Sequence, residues 1–447
     1  MAKHYAGKKG EKHCSIWGRV LAVALVAAVG VAGGFFAVHQ LSGASDSAAQ
    51  QTDSADDAET ASENAAPVLS PEEQLEAQVQ EKLGQMTLEQ KVAQLFVVRP
   101  ESLTGVGQVV QAGDATKSAL EQMPVGGVVY FAANLQDSEQ TRAMLQNTQS
   151  YAQEVEGLPL FLCVDEEGGT VSRVGGNSGF DIANVGDMRD VGATGDTSNA
   201  YNVANHIAGY LTDLGFNVDF APDADIANTS STTMERRSFG STSDVVAPMV
   251  ESQVKGFLDG QILCCAKHFP GIGGAEGDSH SSSVYSQKTL DEMSAEELVP
   301  FQSAISAGVP FIMVGHLSCP QVTGNDDPAS ISPTIITGVL REQLGYEGIV
   351  ITDSMGMGAV TDVVSSDQVA VRAIEAGADM VLMPADLQAA YQGVLDAVNS
   401  GEITEDRINE SVARILRVKL GRMSEDGSVL SPSDAVVATS SASGTSE

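Results

Sequence analysis

Ile262–His280 reads ILCCAKHFPGIGGAEGDSH, an apolar run that breaks into a glycine-rich loop carrying lysine, two histidines and an aspartate. The run Ile262–Ala266 has the length and continuous apolar character of a strand covered on both faces. Gly348–Met355 (GIVITDSM) repeats the design, with a β-like run, Gly348–Ile351, followed by Thr352 and then Asp353. Working outward, comparable runs occur at Ala93–Val98, Gly126–Phe131, Leu158–Val164, Val218–Ala221, Phe311–Val314 and Met380–Met383, eight in all. Amphipathic stretches separate them: Asp137–Glu154, Ser198–Leu214, Val245–Asp259, Ser294–Ala307 and Ser365–Ala376. Ser or Asp opens several of these and Gly closes others, as helix caps do.

Strand and helix alternating eight times predict a parallel sheet closed into an α/β, (β/α)8 TIM-type barrel. A final helix, Glu405–Leu420, would pack outside. Polar residues gather just after the strand-like runs: VDEEGG after the third, PDAD after the fourth, KHFPG after the fifth, GH after the sixth and TDS after the seventh. Barrel active sites sit at the C-terminal strand ends, so these residues should converge on one pocket.

The ends of the chain differ from this body. Residues 1–19 form a basic segment expected to stay cytoplasmic. Residues 20–39 are apolar and reach transmembrane length, about 20 residues, so a membrane anchor is expected, with a cleaved signal peptide as the alternative. No cysteine adjoins the end of that run, which argues against lipid attachment there. Residues 40–69 read as a disordered acidic linker spanning on the order of 30 Å. The folded domain is expected over 70–423 and a disordered tail over 424–447. The expected location is a single-pass cell-membrane protein with its catalytic domain outside, or a secreted protein if the leader is cut.

A formal charge of -35 excludes nucleic acid as a partner and keeps the body off anionic lipid, leaving the N-terminal helix as the membrane contact. The five cysteines, at 14, 163, 264, 265 and 319, show neither zinc-site nor disulfide spacing, and the four that lie in or beside strand-like runs read as core side chains. Histidines and carboxylates near strand ends raise a metal reading, but there is no HxH pair after the first strand and no Glu-x-x-His helix. No metal and no cofactor are expected, and His316 should pack beneath the pocket or bond a neighbouring loop.

A loop able to supply a general acid, facing a strand end with a carboxylate, is what cleavage of a glycosidic bond requires. Asp353 suits a nucleophile, and equally an N-cap for the next helix. Asp278 and His280 stand two apart, so in an extended loop the carboxylate can hold the imidazole. A histidine starts near about pKa 6.5 and needs little tuning to act as an acid. Against this, DSHSSS could be an idle solvated loop.

In their order and wording, VDEEGGTVSRV (164–174), ERRSFGS (235–241), KHFPGIGGAEGDSH and ITDSM resemble glycoside hydrolase family 3, in its bacterial β-N-acetylglucosaminidase branch. The resemblance covers about Leu83 to Leu420. It implies retaining removal of terminal β-linked N-acetylglucosamine, typically from peptidoglycan fragments, with Asp353 as nucleophile, His280 as acid/base and Asp278 as its partner. It further implies that Asp165, Arg173, Arg237, Lys267 and His268 bind the sugar. Ile272 departs from the pattern, since relatives often have histidine there. A monomer acting on a GlcNAc-containing glycan is the expectation. Phosphorolysis, a glucose or xylose substrate, and a tethered wall-binding protein without turnover are the competing readings.

Overall fold

A computed structural model describes residues 69–227, 234–275 and 283–436. The basic segment, the apolar run and, apart from Leu69, the acidic linker lie outside the described residues, as do Asp278 and His280. Among the described residues no helix is long and apolar enough to cross a membrane.

Eight parallel strands form the centre: β1 Phe96–Val98, β2 Gly127–Val129, β3 Phe161–Val164, β4 Val218–Asp219, β5 Leu263–Phe269, β6 Phe311–Val314, β7 Ile349–Thr352 and β8 Val381–Leu382. They pair in chain order, and β8 also pairs with β1, placing Phe96 opposite Val381. The remaining seam joins β7 to β8 through an Ile351–Met380 bridge and a Thr352 N–H to Met380 carbonyl bond of 3.0 Å. The circle is therefore nearly closed, a (β/α)8 barrel as expected. Every residue of these strands is buried, because side chains fill the inside and helices cover the outside. Phe161 and Phe311 meet edge to face across the interior at 5.1 Å.

The helices follow from their spacing. Thr197–Leu214 buries Ala200, Ala204, Ile207, Ala208, Leu211 and Leu214, a single stripe at helical period. Asp196 caps its start, and Gly215 ends it with φ +100°. Its neighbour Ser243–Asp259 approaches so closely that a Cβ on Gly256 would sit 2.5 Å from the Tyr201 carbonyl oxygen. Glu405–Arg422 packs against the first helix, Pro71–Gln85, where Arg417 pairs with Glu76 at 2.8 Å.

Three local expectations are corrected. Ala93 belongs to the helix Leu88–Gln94 rather than to the first strand. The stretch Ser294–Ala307 is broken into Leu290–Ala295 and Val299–Ser306, the second opening on Pro300, whose ring lacks the N–H that a continuous helix would use. Ser424–Val436, expected to be part of a disordered tail, folds back under the barrel. There Val429 is buried, Asn217 Nδ2 donates to the Gly427 carbonyl at 3.0 Å and Gln261 Nε2 donates to the Val429 carbonyl at 2.9 Å.

Candidate active site

The C-terminal ends of the strands surround a cavity of about 710 Å³ lined by Asp165, Arg173, Arg237, Lys267, His268 and Asp353, among others. Six of the eight residues singled out in the sequence thus face one space. The other two, Asp278 and His280, belong to the segment outside the described residues.

Asp165, Glu166 and Glu167 follow β3 directly and divide the work. Glu166 is fully buried and turns away from the cavity, where it folds the next loop around itself. It accepts hydrogen bonds from the amides of Arg173 (2.5 Å), Val174 (3.0 Å) and Gly175 (2.8 Å), and from Tyr210 Oη (2.8 Å). Gly168 and Gly169 make the turn at φ +90° and +56°, and a Cβ on Gly169 would collide with Asp187 at 2.3 Å. This loop returns Arg173 to within 3.8 Å of Asp165.

Lys267 arrives from β5, buried, and binds both other acids. Its Nζ lies 2.8 Å from Asp165 Oδ1 and 2.7 Å from Glu167 Oε1. Arg237 grips Glu167 with two bonds, Nε at 2.8 Å and Nη2 at 2.7 Å, the forked geometry that suits a carboxylate. Burial would push Glu167 up, but Arg237 and Lys267 hold it well below the usual carboxylate range. Burial likewise opposes the charge on Lys267, and Asp165 and Glu167 overcome it, raising the amine above its ordinary value. Glu167 and Lys267 therefore hold each other ionised. Arg236, by contrast, is exposed and pairs with Asp187 outside the cavity.

His268 has its ring fixed. Nδ1 lies 2.7 Å from Asp225 Oδ2, and a carboxylate only accepts, so Nδ1 carries the proton. In the neutral ring Nε2 is left as an acceptor toward Arg237 Nη2 at 3.4 Å. Asp225 also accepts from the amides of His268 and Ile272, so position 272 contributes backbone whatever its side chain. Asp223, Asp225 and His268 lie close enough to hold a cation. The guanidinium of Arg237 already supplies positive charge there, 3.5 Å from Asp223 Oδ2. Burial and then the nearby Asp225 push Asp223 well above the ordinary range.

Asp353 stands immediately after β7, its amide bonded to the Val314 carbonyl at 2.8 Å. Its Oδ1 accepts from the Ser354 amide at 2.6 Å. Burial raises its pKa, yet His268, His316, that amide and Lys267 outweigh burial and keep it below the usual carboxylate range. An ionised carboxylate at the wall of a sugar-sized cavity is a competent nucleophile. At the end of the adjoining strand, Met383 follows β8 with φ +45°, a conformation that a non-glycine side chain adopts only under constraint.

Sequence reasoning missed several lining or supporting residues. Arg99 and Phe131 follow β1 and β2, with Arg99 and Arg173 both held over the Phe131 ring, at 5.3 and 5.6 Å. Arg99 directly after one strand-like run and Phe131 at the end of another were the available signals. Glu167 and Asp225 lie inside noted motifs, but nothing in their spacing names Arg237 or His268 as partners.

The chain is similar to known proteins. Residues 87–418 match the family described as Glycosyl hydrolase family 3 N terminal domain. The chain is 32% identical over 326 residues to a Beta-hexosaminidase A of Pseudoalteromonas piscicida, covering 67% of this chain and 54% of that protein. It is 32% identical over 271 residues to Beta-hexosaminidase LpqI of Mycobacterium tuberculosis, covering 59% of this chain and 68% of that one. The solved glycoside hydrolase family 3 beta-N-acetylglucosaminidase from Paenibacillus sp. superposes with a TM-score of 0.70 at 34% identity, over 79% of this chain and 66% of that one. The chain thus spans little more than half of the Pseudoalteromonas relative. With the family match extending over most of its length and the barrel built as these relatives build theirs, the chain belongs to glycosyl hydrolase family 3.

Proposed function

We propose that this protein is an exo-acting retaining β-N-acetylglucosaminidase that removes terminal β-linked GlcNAc from peptidoglycan fragments or related glycans, on the outer side of the membrane. The observation that carries the reading is the convergence of an ionised Asp353 with the Asp165–Lys267–Glu167–Arg237 cluster on one cavity. Asp165, Arg173, Lys267 and His268 would hold the sugar hydroxyls, and so present C1 to the Asp353 carboxylate.

In the first step an Asp353 oxygen bonds to C1 while the C1–oxygen bond to the leaving group breaks. His280, oriented by Asp278, gives that oxygen its proton. In the second step the neutral imidazole takes a proton from water, whose oxygen displaces Asp353 and restores the β configuration. A base that is neutral between the steps does not repel anionic acceptors. Supplying phosphate and looking for sugar 1-phosphate therefore separates hydrolysis from phosphorolysis.

Incubation with a 5-fluoro N-acetylglucosaminyl fluoride, followed by peptide mass spectrometry, should place one sugar on Asp353. Asp353→Asn should lower kcat on an aryl N-acetylglucosaminide by on the order of 10⁴-fold with the fold intact. An Asp353→Asn variant that turns over at the wild-type rate, or a label found on another residue, would sink the proposal. Defined wall fragments that release no GlcNAc would remove the substrate assignment.

A further inference from the structure

We infer that His316 is a positioning residue for the nucleophile: a buried imidazole that grips the Ser354 carbonyl and so fixes where the Asp353 oxygens point. The inference rests on the glycosidase reading above, because it assigns a role to Asp353.

His316 follows β6 by two residues and is only 1% exposed, and it is not among the residues lining the cavity. It therefore acts through another group. Gly315 brings it there: its amide donates to the Phe269 carbonyl at 2.8 Å, and a Cβ at this position would stand 3.0 Å from His268 Cβ. With that close passage, the ring is set beneath the turn that carries Asp353.

The hydrogen bonds determine its state. Nε2 lies 2.9 Å from the Ser354 carbonyl oxygen, which can only accept, so Nε2 is protonated. Nδ1 lies 2.8 Å from the Oγ of Ser330, which is fully buried. A hydroxyl can donate to the neutral ring or accept from the charged one, so Ser330 supports the imidazole in either form.

What His316 holds is the residue that orients the carboxylate. Ser354 donates its amide to Asp353 Oδ1 at 2.6 Å and offers its carbonyl to His316. On either side, the Asp353 amide is pinned to the Val314 carbonyl and the Met355 amide to the Leu382 carbonyl, each at 2.8 Å. Both flanking amides are thus held by strand backbone, while the Ser354 carbonyl between them is held by a side chain. The Ser354 carbonyl shares its plane with the Met355 amide, so losing the His316 bond leaves that plane held only through Met355, and any tilt passes through the Ser354 backbone torsions to the preceding peptide, whose amide aims Oδ1. A misplacement of about 1 Å at a reacting centre can cost on the order of 100-fold in rate.

The test compares His316→Leu, His316→Gln and Ser330→Ala with the wild type, in kcat and KM on an aryl N-acetylglucosaminide and in the rate of fluorosugar labelling of Asp353. Leucine removes the donor, whereas the glutamine amide can still reach the carbonyl. His316→Leu should lose on the order of 100-fold in kcat and in labelling rate with KM within about threefold. His316→Gln should recover at least tenfold of that loss. Ser330→Ala, which keeps the ring, tests the same contact if leucine prevents folding, and should lose several-fold in kcat alone. Folded His316→Leu with wild-type labelling, equal losses in the leucine and glutamine variants, or an unchanged Ser330→Ala beside an unfolded His316→Leu would each overturn the inference. A wild type never labelled at Asp353 would instead overturn the glycosidase reading, and this assignment with it.

Discussion

Each end of the barrel has a lysine no more than 2% exposed, and the two are treated in opposite ways. At the C-terminal end Lys267 sits between two carboxylates, at 2.8 and 2.7 Å, and its amine is held above its ordinary pKa. At the N-terminal end Lys419 donates to Gln94 Oε1 at 2.8 Å and lies over the Phe161 ring at 5.0 Å. Burial depresses Lys419 to about 8, Glu156 opposing it only from beyond Gln94. Both lysines are almost wholly buried, so desolvation is common to them and the partners decide the outcome. One end keeps a fixed charge that can bind and orient a ligand. The other tolerates a charge with little to compensate it, and the pocket that Lys419 lines measures only about 10 Å³.

The largest effect expected is at the C-terminal end. Lys267→Met strands Asp165 and Glu167, two acids whose charges Lys267 balances, and breaking a buried pair from one side costs about 3–5 kcal/mol. Urea unfolding should show that loss, and turnover should fall in KM as well as kcat because the sugar-holding acids lose their anchor. A Lys267→Met protein as stable as the wild type would mean that the cluster is far better hydrated than its burial implies.

A milder change makes the upper lysine resemble the lower one. Glu167→Gln leaves Lys267 with one carboxylate and one amide, and takes from Arg237 its forked partner. Each hydrogen bond between charged groups contributes about 1.5–3 kcal/mol, so a loss of about 2 kcal/mol is expected. The sign in pH follows from Glu167 lying below its unfolded value. Its contribution is complete above the ordinary carboxylate range and disappears only as pH falls through the lower, folded value. Wild type and Glu167→Gln should therefore differ most at neutral pH and converge in strong acid, in paired thermal melts. A gap that widens on acidification would reverse the assignment.

This contrast also marks what the sequence could disclose. The eight strands were legible because each is covered on both faces and so reads as an unbroken apolar run. Lys267, His268 and Asp353 were legible because they stand within or just beyond such runs. Their partners were not: Glu167 to Arg237 spans 70 residues and Asp225 to His268 spans 43, and only the closed sheet brings them together. Ser424–Val436 was misread because its polar side chains look like a tail, while it is held by carbonyls of Gly427 and Val429, which no residue type advertises. Lys419 had the same invisibility. On an amphipathic helix a lysine reads as surface, and only the packing of Glu405–Arg422 against the barrel floor turns it inward.

The smallest effect is expected at that floor. Lys419→Met removes a costly buried charge and leaves Gln94 Oε1 without its donor, two changes of opposite sign, so stability at pH 7 should move by less than about 1 kcal/mol. Activity should not change, since the substitution lies at the far end of the barrel from Asp353. The pH dependence is more telling than the size. Lys419 titrates at about 8 in the fold against 10.5 ordinarily, so between those values the folded chain binds fewer protons than the unfolded one. Stability from this group therefore rises with pH across that window, the reverse of a lysine such as Lys267 with a raised pKa. Glu156, raised to about 7 by burial, works the other way, favouring the fold at low pH and losing that contribution as pH climbs from its ordinary 4.5 through 7. Urea melts of wild type and Lys419→Met at pH 8 and pH 10 read this window, and the loss of the Lys419 charge, which lowers Glu156, moves the gap in the same direction by raising Glu156 in the variant. The wild type should gain on the variant at the higher pH. A gap that stays constant would mean that Lys419 keeps its proton throughout, and that the two ends of the barrel treat their lysines alike.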